Sequence, residues 1–340
     1  AVSTIGGKGG HAALFLGPEV LAMAVVSQGA GRLVETGAIV RPRQAVGRRY
    51  WQTATPYLMV APVLILTGVF IYWPLVYSAY LSLFDWNFVS PDKTYVGLDN
   101  FRRLADNRRF EQALRITAVY VVALVPIQVV LPLLLALLLW PIRKARAQST
   151  YRVLLFTPTV ISFSVGALLW LWIFHPLQGV LNVLLMDLGR NRVQWLSDPD
   201  IAIWAVVTVS AWKFIGFNLL LYLAALEAIP ADYLEAAAID GASGWQQIWS
   251  IRLPLITPTL FFVLVTTIIA VNDEVFGAIN VLTDGGPFER TANIVYYLYQ
   301  QGFRFFQIGS ASAVALLLFA ATVVFTWLQF RFVERHVHYG

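Results

Sequence analysis

The sequence contains no cysteine, which removes disulfides, zinc–thiolate centres, iron–sulfur clusters and a thiol nucleophile from consideration. Histidine is scarce too: there are four, and His336 and His338 fall in the last five residues. No metal centre and no serine–histidine–acid set is therefore expected. Charged residues make up 13% of the chain, about half the share usual in soluble domains, while hydrophobic residues make up 58%. That balance excludes a soluble globular domain, a disordered chain and a coiled coil. It leaves an integral membrane protein of helical type, provided the apolar residues lie in long runs. The net charge of +5 is small, so where the positive residues lie matters more than their sum.

Six apolar runs stand out, at 57–83, 117–140, 152–175, 203–225, 255–277 and 309–330. Each has about twenty residues or more, enough at 1.5 Å per residue to cross a hydrocarbon core of about 30 Å. Backbone groups in lipid need internal partners, so the runs are expected to be helices. They lack the period-two alternation of a barrel strand and are twice its length. Interior prolines (Pro62, Pro74, Pro126, Pro132, Pro158) are compatible with membrane helices.

Arg143, Lys144, Arg146 and Arg152 lie between the second and third runs with no acid among them. Arg41, Arg43, Arg48 and Arg49 precede the first run, and Arg331 and Arg335 follow the sixth. The positive-inside rule puts these regions, and both termini, in the cytoplasm. The 84–116 loop mixes six bases with five acids and reads as short amphipathic helices on the outer surface. The 226–253 loop is then cytoplasmic although it holds four acids and one base, so something other than topology sets its composition. The expected domains are a cytoplasmic N-terminal extension over 1–50 and a six-helix membrane domain over 51–340. Residues 12–26 are apolar but too short to span, and they fit a cleaved signal peptide poorly. A mobile extension or a helix lying on the membrane surface are the two readings there.

Within the acidic loop, residues 230–254 read PADYLEAAAIDGASGWQQIWSIRLP. Asp232 with Glu235, and Ser243 with Gln246, have capping-box spacing, and Gly241 suits the position just past a helix end. Two short helices with a tight glycine turn are expected over 231–252, with Pro254 opening the fifth span. Such a hairpin either lies passively under the membrane or docks a cytoplasmic partner and passes rigid-body motion to the flanking spans.

Glu235-Ala236-Ala237, Gly241, Ile251, Leu253 and Pro254 match the pattern EAA-x3-G-x9-I-x-L-P at seven positions. In this the chain resembles the permease subunits of bacterial binding-protein-dependent ABC importers. YVGLDNF at 95–101, WLSDP at 195–199, WKFIGFNLLLYLAALEAIP at 212–230, VLTDGGPFERT at 281–291, YLYQQGFRFFQIGSASA at 297–313 and the ending RFVERHVHYG are similar to its carbohydrate branch of maltose-type and glycerol-3-phosphate-type permeases. The chain departs from the branch in its long N-terminal extension. It also has six spans, unlike the eight of the larger maltose-type subunit.

The resemblance implies an all-α integral membrane protein of the ABC importer permease type. Its 231–252 hairpin would be the coupling helix seated in a cleft of an ATPase subunit, with Glu235, Ala236, Ala237, Asp240 and Gly241 at the contact. It further implies a second, similar permease, two ATP-binding subunits that hold ATP and Mg, and an external substrate-binding protein. The expected location is the bacterial cytoplasmic membrane, with lipid as a partner and no nucleic acid. The chain itself lacks the G-x4-G-K-[ST] pattern: the GGKGG at 6–10 continues with neither Ser nor Thr after its lysine. Hydrolysis is thus expected in a separate subunit, and the chain is not itself an enzyme. A secondary transporter would show repeats with matching broken helices, and no repeat is visible. A membrane-embedded enzyme would need catalytic groups clustered at one depth.

Polar residues inside spans usually face the bundle interior or a cavity. The fourth run holds Trp212, Lys213, Asn218 and Tyr222; the outer end of the fifth holds Asn272, Asp273, Glu274 and Asn280. Aromatic faces with amide and carboxylate groups suit a hydroxyl-rich ligand. Counting from the family's motifs puts Asn272 and Phe217 at sugar-contacting positions. The substrate-path set is Trp212, Phe217, Asn218, Asn272, Glu274 and Phe276, each with a helix–helix bond or interfacial anchor as its alternative role. On a regular helix Asn272 and Phe276 share a face, and Glu274 turns to a partner permease or to water. Lys213 is expected in an ion pair or snorkelling. A neutral sugar is favoured over glycerol-3-phosphate by the acids along the path; a zwitterionic glycerophosphodiester also fits.

Overall fold

The computed structural model describes residues 46–142 and 145–332. The expected N-terminal extension falls outside these, apart from its last five residues, as do His336 and His338. The chain divides between Thr67 and Gly68 into two compact units. The described part of the first is one helix, α1 (Val46–Thr67). The second begins with a π-helical turn at Gly68–Tyr72 and α2 (Trp73–Leu81). A two-residue antiparallel ladder follows, β1 (Phe84–Asp85) against β2 (Thr94–Tyr95), then α3 (Asp99–Ala105) and α4 (Arg108–Leu139). Next come α5 (Ala145–Val160), α6 (Phe163–Ile173), α7 (Val180–Asp187) and α8 (Ala202–Glu227). The chain continues through α9 (Ala231–Ile239), α10 (Gly244–Gln247), a π turn at Ile248–Arg252, α11 (Leu253–Leu255) and α12 (Thr257–Ala278). It ends with a π turn at Ile279–Thr283, α13 (Ile294–Tyr299), another at Gln300–Arg304, and α14 (Ile308–Phe332).

Five helical stretches among the described residues are long and apolar enough to cross a membrane: Thr55–Leu81, Arg108–Leu139, Ala202–Glu227, Thr257–Thr283 and Ile308–Phe332. The pair Arg146–Val160 and Phe163–Ile173 makes a sixth. Five spans and this bent pair lie where the six runs predict them, with two differences. Residues 108–116 are not a separate surface helix but the first turns of α4. Asn107 caps that helix, its side chain accepting from the amides of Arg109 and Phe110 at 2.9 and 3.4 Å. The third span is not one rod but bends by 102° between α5 and α6.

α8 is the centre of the bundle and packs against α4, α5 and α12. Residues buried around its whole circumference, from Ala205, Val206 and Val209 to Leu219, Tyr222 and Leu226, explain why its sequence is apolar on every side. Close packing in lipid relies on small residues. At Gly216 a Cβ would lie 1.9 Å from the Leu155 carbonyl oxygen, so only glycine lets the backbones of α5 and α8 meet there.

The bend in the third span has a local and a tertiary cause. Locally, Pro158 interrupts the hydrogen-bond ladder, and the Ser162 side chain restarts a helix by accepting from Val165 N at 3.4 Å. The tertiary cause is Lys213 on α8. Its ammonium donates to the carbonyls of Pro158 and Thr159, both at 2.8 Å, and to that of Ile161. In return the Thr159 hydroxyl donates to the Lys213 carbonyl at 3.0 Å. Lys213 is thus neither in a carboxylate ion pair nor snorkelling. It caps a helix C-terminus inside the bundle, where the carbonyls carry the negative end of the helix dipole.

Candidate functional site

The 231–252 hairpin is built from its caps. α9 starts at Ala231, directly after Pro230, so the expected Asp232–Glu235 capping box does not form. Asp232 instead lies in the first turn, where a carboxylate complements the positive end of the dipole. At the other end Gly241 N donates to Ala238 O at 3.1 Å and Ala242 N to Ala237 O at 2.9 Å, the two bonds of a Schellman turn. Gly241 has φ +80°, the left-handed conformation that glycine adopts without cost. The second capping box does form: Gln246 N donates to Ser243 Oγ at 3.3 Å and Ser243 N to Gln246 Oε1 at 2.7 Å.

No residue of α9 or α10 is buried. Glu235, Ala236, Asp240 and Gly241 are exposed, Ala237 is half-buried, and large apolar side chains stand uncovered beside them: Tyr233, Ile239 at 86%, Trp245 and Trp249. A nine-residue helix is not stable in isolation. Capped at its C-terminal end but uncovered, it leaves a preformed apolar surface exposed, the kind that helix-in-groove docking uses. The hairpin is tethered to the bundle at its exit, where the Arg252 guanidinium sits 4.3 Å from the Trp140 ring at the end of α4. Nearby, Arg152 of α5 pairs with Glu227 at the end of α8.

The substrate-path residues are dispersed. Trp212 meets Trp170 of α6 edge-on at 5.7 Å. Phe217 is 45% exposed on the outside of α8. Asn218 is buried, its Nδ2 donating to the Gln128 carbonyl at 2.8 Å and reaching Thr267 Oγ1 at 3.5 Å, which joins α4, α8 and α12. α12 stays a regular helix through Ala278, so Asn272 and Phe276 share a side of it, but their neighbours differ. Asn272 lines an apolar cleft of about 470 Å³ with Phe110, Leu114, Ile269 and Leu317, and its Oδ1 is buried without a partner among the described residues. Phe276 packs on Tyr296 at 6.2 Å and Tyr299 at 5.4 Å. Glu274 does not turn away from the chain: its Oε2 accepts from Gln128 Nε2 at 3.0 Å.

Beyond α12 the chain turns sharply at Asp284, whose φ is +51°. Asp284 accepts from both guanidinium nitrogens of Arg304 and from the Tyr296 hydroxyl at 2.8 Å. The Arg304 guanidinium, and after it the Tyr296 hydroxyl, hold this carboxyl below the usual carboxylate range. Burial and the Asp284 carboxylate push the Tyr296 hydroxyl up.

Residues 104–338 match the family described as "Binding-protein-dependent transport system inner membrane component". The chain belongs to this family. It is 37% identical over 287 residues to the sn-glycerol-3-phosphate transport system permease protein UgpA of Agrobacterium fabrum, covering 84% of this chain and 96% of that protein. UgpA of Brucella abortus is 38% identical over the same shares. A probable ABC transporter permease protein of Pyrococcus horikoshii is 36% identical over 82% of this chain and 96% of its own. Among solved structures, a bacterial ABC transporter involved in the import of the acidic polysaccharide alginate superposes with TM-score 0.74 and 26% identity, over 84% of this chain and 99% of that one. The same transporter is also known in complex with an alginate pentasaccharide-bound periplasmic protein, again with TM-score 0.74 and 26% identity, over 86% of this chain and 99% of that one. The protein is thus a membrane-embedded permease subunit of an ABC importer, as the motifs imply.

In this permease the residue that reading the sequence missed is Gln128. It is the one amide in the second apolar run, fully buried at 1% exposure, and it joins Glu274 to Asn218 through its side chain and carbonyl. Applying the rule for polar groups in spans to that run would have found it. Replacing Asn272 with Ala is expected to lower transport by up to about tenfold, since a ligand hydrogen bond is worth roughly 0.5–1.5 kcal/mol, with assembly unchanged. Normal transport in that variant, alongside loss in Glu274→Ala, would place the solute on the Gln128 side of α12.

Proposed function

We propose that the permease moves a sugar or sugar-like solute inward across the bacterial cytoplasmic membrane by alternating access. It pairs with a second, similar permease. Two ATP-binding subunits, carrying ATP and Mg, close on the 231–252 hairpin, and a loaded external binding protein docks on the opposite face. Hydrolysis occurs in those partners. The observation that carries the solute class is the set of residue types that α12 itself bears, an amide (Asn272), a carboxylate (Glu274) and an aromatic ring (Phe276), although each has its own neighbours. This combination serves hydroxyls and C–H faces together. Lys213 is already committed to three carbonyls, so it does not offset Glu274 for an anion. A second reading, sn-glycerol-3-phosphate or a glycerophosphodiester, is favoured by the UgpA relatives.

Co-purification of an ATPase chain tests the class, and its absence from an active preparation would favour an ATP-independent transporter. Accumulation of labelled maltose or sn-glycerol-3-phosphate by proteoliposomes holding the assembled importer separates the two solute readings.

In this reading both termini and the hairpin lie in the cytoplasm. Single cysteines can be introduced freely because the chain has none. An impermeant thiol reagent added to intact cells is expected to label Phe288→Cys, at a position 84% exposed, and to leave Ser243→Cys untouched. Labelling of Ser243→Cys alone would invert the topology.

A further inference from the structure

Two segments that the motifs single out, 195–199 and 281–291, meet across a cleft of about 540 Å³ at the far end of α6. Phe174, His175, Gln194, Trp195, Ser197 and Thr283 supply its chemistry. The Phe174 and Trp195 rings lie 5.8 Å apart, 33° from parallel. Trp195 is held in place by Asn182, which is wholly buried. The Asn182 oxygen accepts from Trp195 Nε1 at 3.2 Å and Val193 N at 3.0 Å, and its Nδ2 donates to the carbonyls of Pro176 at 3.1 Å and Val193 at 3.0 Å. One amide thus clamps both strands of the 175–195 loop, and the aromatic wall is set before any ligand arrives. His175 Nδ1 accepts from the amides of Leu177 at 3.3 Å and Gln178 at 3.2 Å, which leaves Nε2–H as the donor of that ring. The volume falls in the range of small-molecule pockets, and no acid, lysine or arginine lines it.

We propose that this cleft is an outer subsite, which receives the hydroxyl-bearing part of the solute on the Trp195 face before the solute enters the path between the spans. Uncharged donors and acceptors around an aromatic wall recognise hydroxyls and C–H faces, and no lysine or arginine in the lining pairs with a phosphate. The proposal rests on the polyhydroxyl reading above and on the outward placement of this end of α6.

The test uses the complete importer, with its ATPase and external binding protein, in proteoliposomes supplied with labelled maltose and, separately, labelled sn-glycerol-3-phosphate. Gln194→Leu and the double variant Gln194→Leu/Ser197→Ala alter exposed side chains and leave Asn182 and Trp195 untouched. For whichever compound accumulates, KM is expected to rise three- to tenfold, with kcat, resting ATP hydrolysis and affinity for the binding protein unchanged. An unchanged KM in the double variant overturns the subsite and leaves the solute reading standing. A loss confined to binding-protein affinity also overturns it, since the cleft would then be a docking surface. Failure of the unaltered importer to accumulate either compound overturns the solute reading and the subsite together.

Discussion

Replacing Lys213 with Met is expected to destabilise the membrane domain severely and, as a consequence, to abolish transport. Lys213 is 6% exposed, and its ammonium satisfies three carbonyls at the broken end of α5. Hydrogen bonds to a charged group are worth ~1.5–3 kcal/mol each, and a buried acceptor left without a donor costs its full desolvation. In the bilayer interior no water replaces the lost partner, and a single unsatisfied backbone group costs several kcal/mol. The α5–α6 junction would have to straighten or recruit water. Straightening is opposed by Pro158 and by the contact of Gly216 with the Leu155 carbonyl. The measurement is thermal unfolding of the purified importer in detergent, with the yield of assembled complex beside it. A Lys213→Met variant that melts within a degree of the parent would show that the cap does not hold the bend.

Replacing Gly241 with Asp is expected to abolish uptake and weaken association of the ATPase while leaving the spans folded. Within this chain a Cβ at Gly241 meets nothing within 4 Å, so no internal clash can account for a loss. The positive φ of +80° disfavours a side chain, at roughly 1–2 kcal/mol for most residues and less for Asn and Asp. Strain of that size in an exposed turn does not unfold six membrane helices. A complete loss would therefore report on the partner's surface, either through steric exclusion or through an added charge beside Asp240. Gly241→Asn separates the two, because it keeps the shape and the tolerance for positive φ without the charge. Normal uptake and normal stimulated ATP hydrolysis in Gly241→Asp would remove the hairpin from the coupling interface.

The hairpin was legible because its signals are local. Gly241 at a helix end and Ser243 with Gln246 act within four or five residues, so spacing alone places the turn and the second cap. Asp232 was misjudged by the same local logic. Pro230 lets the helix begin two residues earlier, and a carboxylate in the first turn has no cap to form. The substrate path was less legible because periodicity gives a side chain's direction but not what stands opposite. Asn272 and Phe276 do share a side of α12, yet one meets α4 and α14 and the other meets α13. Glu274 was expected to turn away from the bundle, and Gln128 holds it in.

Composition and run length by themselves determined that this protein is a helical membrane protein of six spans, because lipid leaves the backbone no alternative to long internal hydrogen bonding. The 230–254 segment determined its own hairpin, because a serine cap and a left-handed glycine are properties of the chain itself. Only the tertiary structure decided the rest. The third span breaks where it does because an ammonium from α8 reaches the carbonyls that Pro158 and Ser162 leave free. The Gln128–Glu274–Asn218 group joins three helices whose residues lie up to 146 positions apart in the chain. Such contacts depend on which helix faces which, and the polar residue at each end carries no mark of its partner.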